Sequence, residues 1–319
     1  MPDSQTAIRA FSGFKKFQDP LLTAKGEERA VVALTHLRTL WFNTGSLCNI
    51  TCVNCYMESS PVNDDLVYLS LEDVRRYLAE AGCQSYALEE VAFTGGEPFM
   101  NKHLPAMLAE ALGQGYRALV LTNAMKPLHH KKEQLLDLKR RYGDALSLRV
   151  SLDHFTPEHH ECIRGADTWA PTMHGLRWLA ENGFNLAIAG RTCWDETDEQ
   201  ARAGYGGLFA SEGIPVDAGD PSRLVLFPEM DVSVDVPEIS VNCWDILGVK
   251  PESIMCATSR MVVRKKGADS PTVVPCTLLP YDPAFELGAD LASSANAVRL
   301  NHPHCAKFCV LGGASCSPD

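Results

Sequence analysis

Residues 39–56 read TLWFNTGSLCNITCVNCY, and this stretch decides the fold. Thr39 to Asn43 is a short apolar, strand-like run, and a loop with three cysteines follows it directly. Cys48, Cys52 and Cys55 stand at offsets of four and three residues, ahead of Tyr56. Thiolates so spaced can converge from one loop on a single metal centre, and three ligands on a four-iron cluster leave one iron open. Structural zinc sites also use Cys-x2-Cys, but they close with a fourth nearby Cys or His. No such residue follows before Cys83. The spacing therefore favours iron–sulfur over zinc, with free thiols as the remaining alternative.

Outward from this loop, short β-branched or apolar runs alternate with longer amphipathic ones as far as about residue 231, the pattern of repeated βα units around a parallel sheet. Strands are expected at Thr39 to Asn43, Glu90 to Phe93, Ala118 to Thr122, Ser147 to Leu152, Asn185 to Ala189 and Arg223 to Phe227. Helices are expected at Leu71 to Ala81, Leu104 to Leu112, Lys131 to Tyr142, Thr172 to Asn182 and Asp198 to Glu212. Ser70 and Asp73 form a capping pair for the first helix, and Gly113, Gly143 and Gly183 act as stop signals for three others. The fold class is α/β, a partial (β/α)6 barrel with a small C-terminal cysteine-rich β-hairpin extension. Its expected divisions are an N-terminal extension over 1–36, the barrel over 37–231 and the extension over 232–319. In such barrels reactive groups gather at the C-terminal strand ends. Each unusual polar segment falls there: the cysteine loop, Thr94 to Pro98, Thr122-Asn123, Asp153-His154, Gly190-Arg191 and Pro228-Glu229.

With 319 residues, 45% of them hydrophobic and 22% charged, the chain has the composition of a soluble globular protein. A net charge of −11 disfavours a broad nucleic-acid surface. No apolar run approaches the roughly 20 residues of a membrane span, and Met1 to Lys16 lacks the apolar core of a signal peptide. A cytoplasmic location is expected. In a reducing compartment the twelve cysteines favour metal ligation over disulfides.

The cysteine loop, Gly95-Gly96-Glu97-Pro98 about 40 residues later and the six βα units together resemble the radical S-adenosylmethionine (radical SAM) superfamily, over residues 37 to 231. The resemblance implies that Cys48, Cys52 and Cys55 hold a [4Fe–4S] cluster whose open iron binds the methionine part of S-adenosylmethionine. Reductive cleavage then gives methionine and a 5′-deoxyadenosyl radical, which abstracts hydrogen from a substrate. It assigns Gly95, Gly96, Glu97 and Pro98 to the cofactor's ammonium group. Glycines suit that place because they let backbone approach a ligand, and proline stiffens the turn. It brings Tyr56 near the adenine, makes Asn123, Ser151 and Asp153 contacts to ribose or methionine, and pairs Arg191 with the cofactor carboxylate. Ordinary roles stand beside these: a loop aromatic for Tyr56, loop hydrogen bonds and ion pairs for the others. His154, His159 and His160 are expected to be solvated loop residues or helix-end partners, with substrate contact as the alternative, and Glu229 and Asp231 to face either the substrate or solvent.

Beyond residue 232, Arg260 to Val263 and Thr272 to Val274 read as a hairpin around Arg264-Lys265-Lys266-Gly267, and Cys256 and Cys276 flank it. Cys305, Cys309 and Cys316 follow in the tail. This resembles the auxiliary-cluster extensions called twitch and SPASM domains. The full SPASM pattern has seven cysteines for two clusters, whereas this region offers five, or six with Cys243. One auxiliary cluster fits better, on four of Cys256, Cys276, Cys305, Cys309 and Cys316, the last two competing for one place. A zinc knot is the alternative. Cys83, Cys162 and Cys193 are expected to be packing residues. The resemblance implies a radical SAM enzyme with a reductant such as flavodoxin or ferredoxin. Peptide maturases of this family often carry a leader-binding domain of about 80 residues, and some 36 residues precede the first strand here. A small-molecule substrate is therefore favoured over a peptide, and nucleic acid ranks third. The competing class is a non-catalytic iron–sulfur or zinc scaffold, which gives no reason for the Gly95-Gly96-Glu97-Pro98 segment.

Overall fold

A computed structural model describes residues 15–84, 86–229, 231 and 233–313. Six strands run parallel in sequential order: β2 (Thr39–Asn43), β3 (Glu90–Thr94), β4 (Arg117–Thr122), β5 (Leu146–Ser151), β6 (Asn185–Thr192) and β7 (Leu224–Pro228). The helices between them are α1 (Leu71–Cys83), α2 (Leu104–Gly113), α3 (Lys126–His129), α4 (Lys132–Tyr142), α5 (Pro157–Arg164), α6 (Trp169–Glu181) and α7 (Asp198–Glu212). This is the partial parallel barrel expected from the sequence.

Alternation along the strands explains the layering. Leu40 and Phe42 of β2, Val91 and Phe93 of β3, and Leu148 and Val150 of β5 pack outward under the helices in one buried cluster. Trp41, Ala92 and Leu119 point the other way and join a second cluster with the C-terminal region. Strict alternation in a sheet buried on both faces gives near-continuous apolar strands, and β2 is buried at all its positions.

The helix signals hold with small shifts. Ser70 Oγ accepts from the Asp73 amide (3.1 Å) while the Asp73 carboxylate accepts from the Ser70 amide (2.8 Å), a complete capping box on α1. Gly143 directly follows α4 and Gly183 comes one residue after the cap of α6, whereas Gly113 is the last residue of α2. α6 begins three residues earlier than expected, because Pro171 lies in the first turn, where no intrahelical N–H partner is lost. α5 is an additional helix ahead of the one expected between β5 and β6, and Pro157 at its start and Gly165 just past its end bracket it.

The C-terminal hairpin does not form a separate sheet. β8 (Ser259–Val263) lies parallel beside β2, with Thr39 opposite Ser259, and β9 (Thr272–Val274) pairs antiparallel with β8 as the expected hairpin. The sheet therefore has eight strands in the order β7-β6-β5-β4-β3-β2-β8-β9. A short helix α8 (Cys243–Leu247) precedes this hairpin, and β10 (Val298–Arg299) follows it. β10 pairs antiparallel with β1 (Val31–Val32), so the N-terminal segment closes on the C-terminal one. Among the described residues no helix is long and apolar enough to cross a membrane.

Candidate functional site

The cysteine loop is set by its neighbours before any ligand is considered. The Gly96 amide donates to Gly45 O (2.8 Å) and the Glu97 amide to Leu47 O (3.1 Å), so the loop after β3 zips onto the chain that leads into Cys48. A Cβ on Gly96 would lie 2.2 Å from Leu47 O and 2.6 Å from Ser46 O, both backbone. Gly95 has φ +142°, which L side chains rarely adopt. From the other side, the Val53 amide donates to Ile163 O of α5 (2.7 Å).

A cleft opens at the C-terminal strand ends, lined by Cys48, Cys52, Cys55, Tyr56, Gly95, Gly96, Asn123, Ser151, Arg164 and Arg191 among others. Nine of the positions expected to meet cofactor or cluster thus share one cavity. Glu97 stands behind it. Its buried carboxylate accepts from Thr122 Oγ1 (2.8 Å), the Asn123 amide (2.8 Å) and the Phe99 amide (3.1 Å). Burial nonetheless pushes its pKa up to about 7. Pro98 opens the short 3-10 turn Pro98–Met100 that this carboxylate caps. Glu97 therefore braces the loops after β3 and β4. Asn123 Nδ2 donates to Asn49 Oδ1 (2.9 Å) and lies 3.9 Å from Cys48 Sγ.

Asp153 is buried between two cations, with its carboxylate 2.7 Å from Arg164 Nε and 3.6 Å from Arg191 Nε. Arg191 also reaches Glu229 at 3.5 Å, and Asn54 Nδ2 of the cysteine loop donates to the same Glu229 oxygen at 2.8 Å. Arg164 was not anticipated, because it ends a helix the sequence reading missed; it lines the cleft beside the cysteines. Asp231 caps Ser233 through its amide (2.8 Å) and hydroxyl (2.6 Å), away from this network. The histidines are not solvated loop residues. His159 and His160 lie on α5, and His154 and His160 are buried, since the loop after β5 folds back under α5 and Trp194.

The donor set suits a metal cluster. Burial pushes the Cys48 thiol up to about 12 and raises that of Cys52, the latter against the nearby Arg164 cation. A protein environment that disfavours bare thiolates needs a bound cation to keep them deprotonated, and a metal does so.

A second group of cysteines lies in the C-terminal region. Cys256, Cys276, Cys305 and Cys309 line one small apolar pocket with Ile254, Leu278, Leu279, Val298, Leu300 and His304. Burial pushes the Cys256 thiol up to about 11 and raises that of Cys305. The loop carrying Cys256 is anchored by fully buried Arg260, which donates to Cys256 O (2.6 Å), Ser259 O (2.8 Å) and Ser294 O (2.8 Å). Cys316 lies outside the described residues. Cys243 does not line this cavity and sits 3.7 Å from Ser240 Oγ. Cys83 and Cys162 are exposed on α1 and α5, not packed as expected, because both occupy solvent-facing helix positions. Cys193 is half-buried beside Glu229, and burial, with that carboxylate's help, pushes its thiol up to about 12.

Residues 42–202, about half of the chain, match the profile of the radical SAM superfamily. The chain belongs to this superfamily. Radical SAM enzymes carry a [4Fe–4S] cluster and S-adenosylmethionine, and membership makes this chain an enzyme of that kind. Curated relatives include Fe-coproporphyrin III synthase of Methanosarcina barkeri, 27% identical over 184 residues, which span 57% of this chain and 42% of that protein. The antilisterial bacteriocin subtilosin biosynthesis protein AlbA of Bacillus subtilis is 27% identical over 143 residues, 44% of this chain and 30% of that protein. The chain thus spans less than half the length of these relatives. Among solved structures it resembles Streptococcus suis SuiB bound to precursor peptide SuiA, with TM-score 0.58, 12% identity and coverage of 83% of this chain and 66% of that one. It also resembles anSMEcpe with bound AdoMet, with TM-score 0.57, 14% identity and coverage of 84% and 82%. At these identities the likeness is one of fold, and it extends past the barrel into the C-terminal region.

Proposed function

We propose that Cys48, Cys52 and Cys55 hold the radical SAM cluster and that the cleft beside them takes S-adenosylmethionine, with hydrogen abstraction from a small organic substrate as the outcome. The observation that carries this reading is the convergence of the three cysteines, Tyr56, the Gly95-Gly96 backbone, Asn123, Ser151 and Arg191 on one cavity. Once bound, the cluster and cofactor supply one-electron cleavage to methionine and a 5′-deoxyadenosyl radical. The chain's own residues do the holding. Gly95 and Gly96 keep one wall free of side chains, Asn123 and Ser151 offer polar contacts, and Arg191, tethered by Asp153 and Glu229, presents a planar cation to a carboxylate. Glu97 and Pro98 act from behind, by bracing that wall.

The C-terminal cysteines are assigned to one auxiliary [4Fe–4S] cluster on Cys256, Cys276, Cys305 and Cys309, the four that share a cavity. A structural zinc on the same ligands is the competing assignment. The divisions 1–36, 37–231 and 232–319 mark changes of local pattern, and the C-terminal part is the twitch/SPASM-like region. A flavodoxin- or ferredoxin-type protein is the proposed electron donor. A second substrate class is a ribosomal peptide, favoured by the relative named for bacteriocin biosynthesis.

Anaerobic reconstitution, iron and sulfide analysis and a cofactor-cleavage assay test this reading. About eight irons per chain and reductant-dependent 5′-deoxyadenosine are expected, and Cys48→Ala is expected to remove about half the iron and all cleavage. About four irons would replace the auxiliary cluster by zinc. No 5′-deoxyadenosine with full iron loading would leave the scaffold reading in its place.

A further inference from the structure

A separate set of donor atoms converges on the rim of the barrel, in residues that the cofactor cleft does not use. His154 leads out of β5, His159 stands on the first turns of α5, and Glu196 precedes the N-cap of α7. His154 Nε2 lies 3.0 and 3.1 Å from the two carboxylate oxygens of Glu196 and 3.3 Å from Nδ1 of His159. One ligand atom from each residue fits within a sphere where all separations are under 4.8 Å.

A hydrogen bond between His154 and Glu196 accounts for one of these contacts. It gives no reason for a second imidazole nitrogen to face the same point. Four donors at zinc bond lengths stand roughly 3.3 Å apart in a tetrahedron, close to the spacing found here. The rings are held for this purpose from the outside. Trp194 stacks on His159 (centroids 4.8 Å, planes 15° apart) and packs edgewise on His154 at 4.6 Å.

We propose that His154, His159 and Glu196 bind a borderline divalent cation of the zinc type, with an open position toward solvent. Two neutral imidazoles and one carboxylate are a ligand set that such cations take readily. Thr156 supplies what His154 needs with and without the ion. Its amide donates to Nδ1 (3.0 Å), leaving the ring proton on Nε2 and toward Glu196. When the cation takes Nε2, that proton moves to Nδ1, the bond from the Thr156 amide is given up, and Nδ1 donates instead to Thr156 Oγ1, 2.9 Å away. The His154 charge is unchanged by the exchange. The ion would pin the loop after β5 to the loop after β6. Asp153 lies on the first of these loops and Arg191 at the end of β6, just before the second, so the site is a structural clamp beside the cofactor cleft.

The test uses the cluster-reconstituted full chain, dialysed against buffered zinc, with zinc, iron and sulfide measured on the same sample. One zinc per chain beyond the iron–sulfur content is expected, with a zinc-dependent rise in unfolding temperature. Glu196→Gln and His159→Asn are expected to weaken zinc binding at least about tenfold and remove the thermal shift while iron content stays at the wild-type level. Both residues are partly exposed, so these variants keep the fold. Zinc retention equal in wild type and both variants would overturn the site, as would no zinc retained by the wild type.

Discussion

Gly96 is where one added methyl group would press directly on the chain leading into Cys48. Its missing Cβ would press on the Leu47 carbonyl at 2.2 Å and on Leu47 C at 2.5 Å, atoms of a backbone that cannot yield without moving Cys48. Gly96→Ala is therefore expected to cost about 2–3 kcal/mol and to lower iron per chain, read by denaturant midpoint and iron analysis. Gly82 is the control: a Cβ there meets nothing within 4 Å inside α1, so Gly82→Ala is expected to leave iron unchanged and to stabilise by about 0.5–1 kcal/mol. His129 supplies a pH dependence. Burial, then the charges of Lys132, His174 and His130, lower its pKa to about 4, and among the described residues neither ring nitrogen has a hydrogen-bond partner. Between pH 6.5 and about 4 the unfolded chain binds the proton and the native one does not, so stability is full above 6.5 and falls as pH drops. Its partial solvent access limits the effect to about 1–2 kcal/mol. Urea midpoints between pH 5 and 7.5 should show a shallower acid-side loss in His129→Leu, and an unchanged slope would remove His129 from the account. At this scale the sequence was informative about chemistry and silent about neighbours. Three cysteines and two glycines can be read from spacing, whereas Glu97 turns out to brace loops, and no spacing signals that its oxygens find Thr122, Asn123 and Phe99.

The elements were legible where one local cause decides them. β2 to β7 follow from apolar runs, and α1 follows from a capping box whose two hydrogen bonds satisfy orphan amides of its first turn. Ser70→Ala should lower stability by about 1 kcal/mol, measured as a shift of the denaturant midpoint with unchanged slope. A much larger loss would mean that Asp73 depends on Ser70 for its contact to Arg264, 3.5 Å away on the hairpin side. α5 was illegible to hydrophobic periodicity because it is short and rich in histidine and glutamate, and only its Pro157 and Gly165 brackets mark it. Missing it also concealed Arg164 and the burial of His160. β8 was read as a hairpin strand correctly, but its parallel pairing with β2 joins residues over two hundred positions apart, and local pattern carries no information on such partners.

At the scale of the whole molecule, the segment before the barrel and the region after it hold each other. Fully buried Arg29 donates to Glu238 (2.6 Å) and to the carbonyls of Asp19, Leu22 and Leu300, while Glu238 also accepts from the amides of Phe17 and Ala24. Three stretches of chain from both sides of the barrel thus meet at one ion pair, and the β1–β10 pairing lies alongside. Taking two charges out of water is costly, so the pair need not add net stability over an apolar pair, but leaving one charge alone is expensive. Arg29→Met is accordingly expected to lose about 3–4 kcal/mol, because Glu238 keeps its charge with two amides and no cation. Arg29→Met with Glu238→Gln removes the uncompensated charge and should recover part of that loss. Denaturant midpoints of the two variants and the wild type decide the matter. Equal losses in both would show that Arg29 acts through its carbonyl contacts and not through the ion pair. Iron analysis on the same samples adds the link to function: Leu300 precedes Cys305 by one short turn of chain, so a loosened clamp should release iron from the C-terminal cysteines before it disturbs Cys48, Cys52 and Cys55.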